Sequence, residues 1–574
     1  MASIAEKLTD ITGAAFAALD LPVELGQVRV SDRPDLAQFQ CNGAMAASKM
    51  AKKNPREIAQ AVVEALQSHK EFSKIEIAGP GFINLNITDD YLASHLAQSA
   101  GDERLGVEKI AKQETIVLDY GGPNIAKPMH VGHLRSSIIG DSLRRICDFA
   151  GYSAIGDVHM GDWGRPMGMI LSVLEARGTL GEPVTMDQLE EIYPAAAKAC
   201  KEDEAQMEKA REATVKLQDG DETYKAAWKQ FIDVSVKGMK KNFDALGVHF
   251  DLWKGEADVH ELIAPMVNKL KTNGFAVESE GALVISVEQE GDKKEMPPLI
   301  LLKSDGGVMY GTTDLATIVE RMEENNPVKI IYVVDQRQSL HFEQVFRAAY
   351  KGGIVPENIE LTHAGFGTMN GPDGKPFKTR AGGVMRLEDL ISMGIEKAQA
   401  RLAEADLARD MDKGERADIA QKVAIAAIKF ADLQNNRIAD YVFDIDRMTS
   451  FEGKTGPYLL YQAVRIKSLL RKAEGQGFKP GKEFLLRDSD RSLALLLTEL
   501  PNVFEGALKN YTPHLLCEYA YRLAQEFSSF YAACHILSEE DEALRSSRLA
   551  LCELTQSQIV LVLGLLGIKI PERM

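Results

Sequence analysis

The chain has 574 residues, enough for about three or four domains, and its 45% hydrophobic and 26% charged residues are ordinary for a soluble globular protein. A formal net charge of −17 excludes a molecule coated in positive potential, although a nucleic-acid partner needs only a local basic patch. The six cysteines are scattered without a Cys-x-x-Cys pair and read as reduced core residues, no apolar run is long enough to cross a bilayer, and the opening MASIAEKLTDITGAAF lacks a signal-peptide layout, so a cytoplasmic location is expected.

Residues 1–110 read as a separate small α+β unit. A helical pattern runs from Ile4 to about Leu19, Asn54-Pro55-Arg56-Glu57 looks like a helix cap with proline at the first helical position, and IEIAGPGFINLNI is strand-like with Gly-Pro-Gly at its middle. Next, Thr115–Tyr120 is a short apolar run that predicts a buried strand. A Gly-Gly-Pro-Asn turn follows, and then Leu134, Ile138, Ile139, Leu143 and Ile146 predict a helix ending near Gly151. His130 and His133 fall where the loop enters this helix. Unpaired backbone N–H groups and partial positive charge at a helix start attract phosphate, and two imidazoles there would donate hydrogen bonds to it. Gly132 leaves room for a nucleotide, and Lys127 adds a positive charge one turn upstream. The plain alternative is a surface loop with two incidental histidines. Zinc is a further rival, but the pair lacks the glutamate of HExxH and a nearby cysteine pair, and no metal site is expected.

A second strand, Ser153–His159, ends in HMGDWGRP, which places Gly161 and Asp162 in a loop suited to close over the nucleotide. Residues 180–300 read as an insertion. It holds a solvated charged helix over Lys201–Leu217, a helix from about Glu222 to Leu246, Glu256 in a loop after glycine, and paired strands at Ala282–Val287 and Leu299–Leu302. Tyr310 begins a helix that Thr312 or Thr313 would cap, with Asp314 in its first turn. The strand KIIYVVD follows, and Gln338 lies beyond its carboxyl end, where open parallel sheets bind ligands. HAGFGTMNGPDGKPFKTRAGG is Gly-rich and basic, suits the phosphates of ATP through Lys375, Lys378 and Arg380, and is not a Walker A loop. From about Ala417 the chain is helical. Lys454–Lys472 has five basic residues and no acidic one, with Tyr458 and Tyr461 interleaved. Bases stacking on those tyrosines and phosphates meeting Arg465 would suit single-stranded RNA; the plain alternative is a helix with a solvated basic face and core tyrosines.

His130-Val131-Gly132-His133 resembles the HIGH signature of class I aminoacyl-tRNA synthetases, and the longer PNIAKPMHVGHLRS resembles the arginyl-tRNA synthetases of that class. The likeness extends over nearly the whole chain, through FQCNGAMA, GPGFINL, HMGDWG, YGTTDLA, DQRQSLHF, DGKPFKTR, the Lys454–Lys472 helix and the terminal LGLLGIKIPERM. It implies an α/β, Rossmann-like catalytic domain at 111–450 with the insertion, a small α+β tRNA-contacting domain at 1–110 and an all-α anticodon-binding bundle at 451–574. It also implies ATP with Mg2+, L-arginine and a cognate tRNA as substrates and partners, with no DNA, no membrane and a monomer expected. By resemblance, Asp314 takes the guanidinium with Tyr310 and Gln338, Glu256 binds the α-amino or guanidinium end, and Asn124 holds the α-amino or carboxylate group. Phe82 and Asn84 would stack on and hydrogen-bond to an exposed base at the outer corner of the tRNA. Pro376-Phe377-Lys378-Thr379-Arg380 stands in for the family's KMSKS loop without its second lysine, and Lys127 compensates. The chain departs from the family at Arg165-Pro166-Met167, where Thr-Gln-Phe is common, and in GEAD where GES is frequent. The resemblance further implies that tRNA is needed before arginine is activated. Another HxGH-type synthetase and a non-catalytic tRNA-binding relative remain as alternatives.

Overall fold

The structure, a computed structural model, describes residues 2–304, 306–371, 373–375, 377 and 385–574. Helix α1 (Ile4–Ala17) starts at a capping box, the Ser3 hydroxyl accepting the Glu6 N–H and the Glu6 carboxylate accepting the Ser3 N–H. Strands β1 (Val28–Val30) and β2 (Phe39–Cys41) are followed by helices α2 (Gly43–Ala51) and α3 (Pro55–Leu66). Asn54 caps α3 through its side-chain oxygen, with Pro55 at the first position, as the sequence predicts. Strands β3 (Phe72–Ala78) and β4 (Phe82–Ile87) form a hairpin that turns through Gly79 and Gly81, both at positive φ. The four strands make an antiparallel sheet in the order β1-β2-β4-β3, and helix α4 (Asp89–Ala100) leads onward.

The central region is a parallel sheet. Strand β5 (Thr115–Asp119), helix α5 (Leu134–Ala150) and strand β6 (Ser153–Met160) form its first unit, with Gly151 closing α5 in the left-handed region. Four helices follow: α6 (Arg165–Arg177), α7 (Met186–Glu202), α8 (Glu204–Gln218) and α9 (Glu222–Leu246). The Arg165-Pro166-Met167 departure is the first turn of α6, where proline is well tolerated. Strand β7 (Leu252–Gly255) and helix α10 (His260–Thr272) come next, followed by the antiparallel β8 (Val277–Ser279), β9 (Ala282–Ile285) and β10 (Leu299–Leu302). Helix α11 (Tyr310–Asn325), strand β11 (Lys329–Tyr332), helix α12 (Ser339–Lys351) and strand β12 (Glu360–His363) complete the sheet, whose order is β12-β11-β5-β6-β7. All its pairs are parallel. The chain leaves β5 toward β6 and β7 on one side and returns to β11 and β12 on the other, so β5 lies at the switch point where ligand crevices form.

Two expectations are corrected here. Residues 252–255, placed in the expected insertion, form β7 in the main sheet; a four-residue edge strand is too short to show a period. Helix α11 is capped by neither threonine. Met309 occupies the cap position without a side-chain bond, Thr312 Oγ1 donates to the Leu301 carbonyl at 2.6 Å, and Asp314 lies past the first turn.

The C-terminal part is helical apart from the paired two-residue strands β13 (Met369–Asn370) and β14 (Tyr441–Val442). Its helices are α13 (Leu387–Glu404), α14 (Lys413–Leu433), α15 (Ile445–Met448), α16 (Gly456–Gly475), α17 (Asp488–Leu497), α18 (Leu500–Asn510), α19 (His514–Ala533) and α20 (Glu542–Leu565). Helix α20 corrects a further expectation. It is long and apolar enough to cross a membrane, but 67% of its apolar window is buried, and it packs against α16, α17 and α19. All six cysteines are buried and free. The N-terminal unit docks on this bundle through Arg491 of α17, which donates to the Ile87 carbonyl at 2.6 Å and pairs with Asp89.

The sheet is pinned to α11 by a buried charge cluster. Arg321 lies between Asp119 of β5 and Asp157 of β6, at 2.6 and 2.5 Å, with its guanidinium 5.2 Å from the Tyr332 ring centroid. Removing one member of such a cluster leaves buried charge uncompensated. Arg321→Met is therefore expected to destabilise this region by about 3–5 kcal/mol in urea unfolding followed by tryptophan fluorescence; a loss below about 1 kcal/mol would contradict that.

Candidate active site

The loops at the carboxyl ends of β5, β6, β7 and β11 carry the candidate residues. The loop after β5 begins with Gly121 and Gly122, both at positive φ, and is tied down where the Gly121 N–H donates to Ser136 Oγ of α5 at 2.8 Å. Ser136 Oγ in turn donates to the Val333 carbonyl at 2.7 Å. Asn124 bridges to Gly161 after β6, and its side-chain oxygen lies where a Cβ on residue 161 would sit, so only glycine admits this approach.

The His130 and His133 rings lie against each other, tilted by 33° with centroids 4.0 Å apart. His130 Nδ1 accepts the Gly132 N–H at 3.0 Å, and His133 Nδ1 accepts the His130 N–H at 3.1 Å. An Nδ1 that accepts leaves the proton of a neutral ring on Nε2, so both rings present an Nε2–H donor. Both stay uncharged near neutral pH. Burial lowers the His130 pKa, helped by Lys127, and burial with the neighbouring His130 brings His133 down to about 3.

The expected free backbone donors at this helix start are absent. The N–H of Val131 goes to the Met385 carbonyl, that of Gly132 to His130 Nδ1, that of His133 to the His130 carbonyl and that of Leu134 to the Val131 carbonyl. The segment enters α5 through a 3-10 turn, Val131–His133, that consumes them. The Met385 contact, with a bridge between His130 and Arg386, seats the end of the Gly-rich segment beside the histidines. Lys375 is exposed in a turn where its N–H donates to Asp373. Lys378 and Arg380 lie outside the described residues.

The opposite side of the site is acidic. Glu256 follows β7, and burial, reinforced by Asp162 and Asp314, pushes its pKa up to about 7. Asp162 is itself raised to about 6, first by burial. Its carboxylate accepts the Ala257 N–H at 3.0 Å and packs against Gly255, so it fixes the Glu256 loop. Asp314 is held by His341 of α12, Nε2 to Oδ2 at 2.5 Å. Sequence reasoning missed His341, although it lies three residues after Gln338 and so on the same helical side. Gln338 is exposed in a 3-10 turn after β11, and Tyr310 is 71% exposed at the start of α11.

The remaining candidates lie in other parts of the molecule. Asn84 is only 5% exposed and its side-chain oxygen accepts from Gln40 at 2.9 Å, so it supports Gln40 rather than facing a base; Phe82 is half-buried. On α16, Tyr458 is half-buried edge-on to Tyr521, Arg465 lies 4.3 Å above the Tyr531 ring, and Tyr461 is the open one at 37% exposure.

Comparison with known proteins matches this architecture in three consecutive parts. The family described as arginyl tRNA synthetase N terminal domain matches residues 2–87, tRNA synthetases class I (R), catalytic domain, matches 95–445, and DALR anticodon binding domain matches 459–574. The arginine–tRNA ligases of Hyphomonas neptunium and Maricaulis maris are each 50% identical, with 100% of both chains covered. The arginyl-tRNA synthetase of Plasmodium falciparum superposes over 100% of both chains with a TM-score of 0.85 at 28% identity. That of Thermus thermophilus shares the fold, with a TM-score of 0.82 at 23% identity over 100% of both chains. With a parallel sheet whose carboxyl edge carries the paired histidines opposite an acidic pocket, and with matches spanning nearly all of its length, the chain belongs to the arginyl-tRNA synthetase family of class I.

Proposed function

We propose that the two sides of the site sort the two small substrates of the reaction, the imidazoles and Lys127 facing ATP and the carboxyl groups receiving arginine. As an arginyl-tRNA synthetase, the chain attaches arginine to its tRNA at the expense of ATP. In the first step an arginine carboxylate oxygen bonds to the α-phosphorus, the bond to the β-phosphate oxygen breaks, and pyrophosphate leaves. In the second, a terminal ribose hydroxyl of the tRNA attacks the arginyl carbonyl, loses its proton, and AMP departs. Neither step needs a protein nucleophile; both need alignment and stabilisation of charge on phosphate oxygens. The Nε2–H groups of His130 and His133 and the ammonium of Lys127 supply that stabilisation, joined by Lys375, Lys378 and Arg380, while Gly132 and Gly161 make room for the His130 ring and the Asn124 side chain. Asn124, Glu256, Tyr310, Asp314 and Gln338 hold arginine. The observation that carries this reading is the separation of uncharged Nε2–H donors from a cluster of three carboxyl groups along one sheet edge.

Among the described residues no group of three or more His, Cys, Asp or Glu side chains converges as a metal site. Magnesium would accompany ATP and offset the charge of its phosphates. Residues 1–110 serve the outer corner of the tRNA through Phe82 and the Asn84–Gln40 pair, and residues 451–574 serve the anticodon through Tyr458, Tyr461 and Arg465, with 111–450 catalytic between them. The enzyme works as a cytoplasmic monomer, binding neither DNA nor membrane.

Two outcomes test the arginine pocket. Glu256 is a neutral acid below about pH 7, and a bound cation favours its ionised form, so binding arginine releases a proton. The dissociation constant for arginine should therefore rise as pH falls from 8 to 6, approaching about tenfold per unit, and Glu256→Gln should flatten that dependence. Asp314→Asn should raise the Michaelis constant for arginine by at least about tenfold, on the scale of a lost charge-assisted pair, with less effect on that for ATP. An unchanged value for arginine would remove Asp314 from guanidinium recognition.

A further inference from the structure

The helices between β6 and β7 reach back to the loop that carries Lys127. Ala126 is fully buried and held at φ +62°, a left-handed conformation unusual for a side-chain-bearing residue. Its N–H donates to Ser235 Oγ of α9 at 2.9 Å, and Ser235 is itself buried. The backbone direction into Lys127 is thus set by α9. The far end of the side chain meets α7, with Lys127 Nζ lying 4.4 Å from the centroid of the Tyr193 ring. Three residues earlier on α7, Glu190 forms an ion pair with Arg386, the residue bridged to His130. Glu190 and Tyr193 share one side of the helix, so α7 meets both Lys127 of this loop and Arg386, which is bridged to it.

The choice of an aromatic ring matters chemically. A carboxylate beside Lys127 would hold the ammonium but cancel its charge, and among the described residues none pairs with it. A ring face attracts a cation through its quadrupole and leaves the full charge available to a phosphate.

We propose that Tyr193 is a positioning residue for Lys127, its ring holding the ammonium beside the paired histidines so that the charge is aimed at ATP before the substrate arrives. This rests on the assignment of Lys127 to ATP made above. A lysine side chain otherwise loses rotamer freedom as it engages the phosphate, and a ring that already orders it removes part of that cost at the reaction step.

The test is arginine-dependent ATP–pyrophosphate exchange by the full-length enzyme with tRNA present, comparing wild type, Tyr193→Leu, Tyr193→Phe, Lys127→Ala and the Lys127→Ala/Tyr193→Leu double variant. Tyr193→Leu is expected to lower kcat by about 5- to 30-fold, the scale of a partly desolvated cation–π contact, with the Michaelis constant for arginine unchanged. Tyr193→Phe, which keeps the ring, should retain most of the rate. In the Lys127→Ala background Tyr193→Leu should cost nothing more, a null that a general packing defect would not give. Full activity of Tyr193→Leu, or an equal loss in both backgrounds, would overturn the inference while leaving Lys127 in place. Wild-type exchange by Lys127→Ala would overturn the Lys127 assignment and this inference together.

Discussion

The turn between β5 and α5 bonds two of its amides to the rings of its own histidines, and the rest of the site depends on that. A standard helix start would offer bare N–H groups to phosphate. Here the Gly132 and His130 amides are capped by the two Nδ1 atoms, which fixes each ring's tautomer and leaves the proton on Nε2. Gly132 is required because the His130 ring folds over it, 2.7 Å from where a Cβ would lie. Helix α5 is braced from behind by α14. Arg135 meets Asp432 at 3.1 Å with both side chains buried, and Lys429 lies 3.9 Å from Asp141 while donating to the Gly567 carbonyl at 2.9 Å. The catalytic turn is thereby clamped between the parallel sheet and the C-terminal helices.

The electrostatics follow from where each loop leaves the sheet. Strand β5 leads to neutral imidazoles and a lysine, whereas the loops after β6 and β7 carry Asp162 and Glu256, and helix α11 carries Asp314. Burial keeps the histidines uncharged and raises Glu256 and Asp162, so the site avoids a buried array of mutually repelling charges. On the proposed assignment, an arginine cation would favour the ionised carboxyl groups, and Lys127 would meet the ATP phosphates.

Elements with a strong local signal were legible in the sequence. The apolar run of β5, the period of α5, the bounds of α9, the Asn54-Pro55 cap and the β9–β10 pair are written in nearest-neighbour chemistry. The HVGH stretch was legible as the turn leading into α5, but not that its amides are already bonded, because one of the partners, Met385, lies far along the chain. For the same reason the burial of Asn84 by Gln40, the His341–Asp314 contact and the Tyr193 ring under Lys127 were invisible: each joins residues from different elements. Strand β7 was too short to show a pattern, and the threonines expected to cap α11 include one drawn to the Leu301 carbonyl of β10.

The account turns on His133 being a neutral, Nε2-protonated donor, and the most direct measurement is long-range nitrogen–proton NMR on the 15N-histidine-labelled enzyme, with His133→Asn for assignment. The structure predicts a His133 resonance pair that keeps the Nε2–H pattern without titrating from pH 8 down to pH 5, because its pKa is held near 3. A His133 ring that becomes imidazolium near pH 6.5, or that carries its proton on Nδ1, would contradict the account.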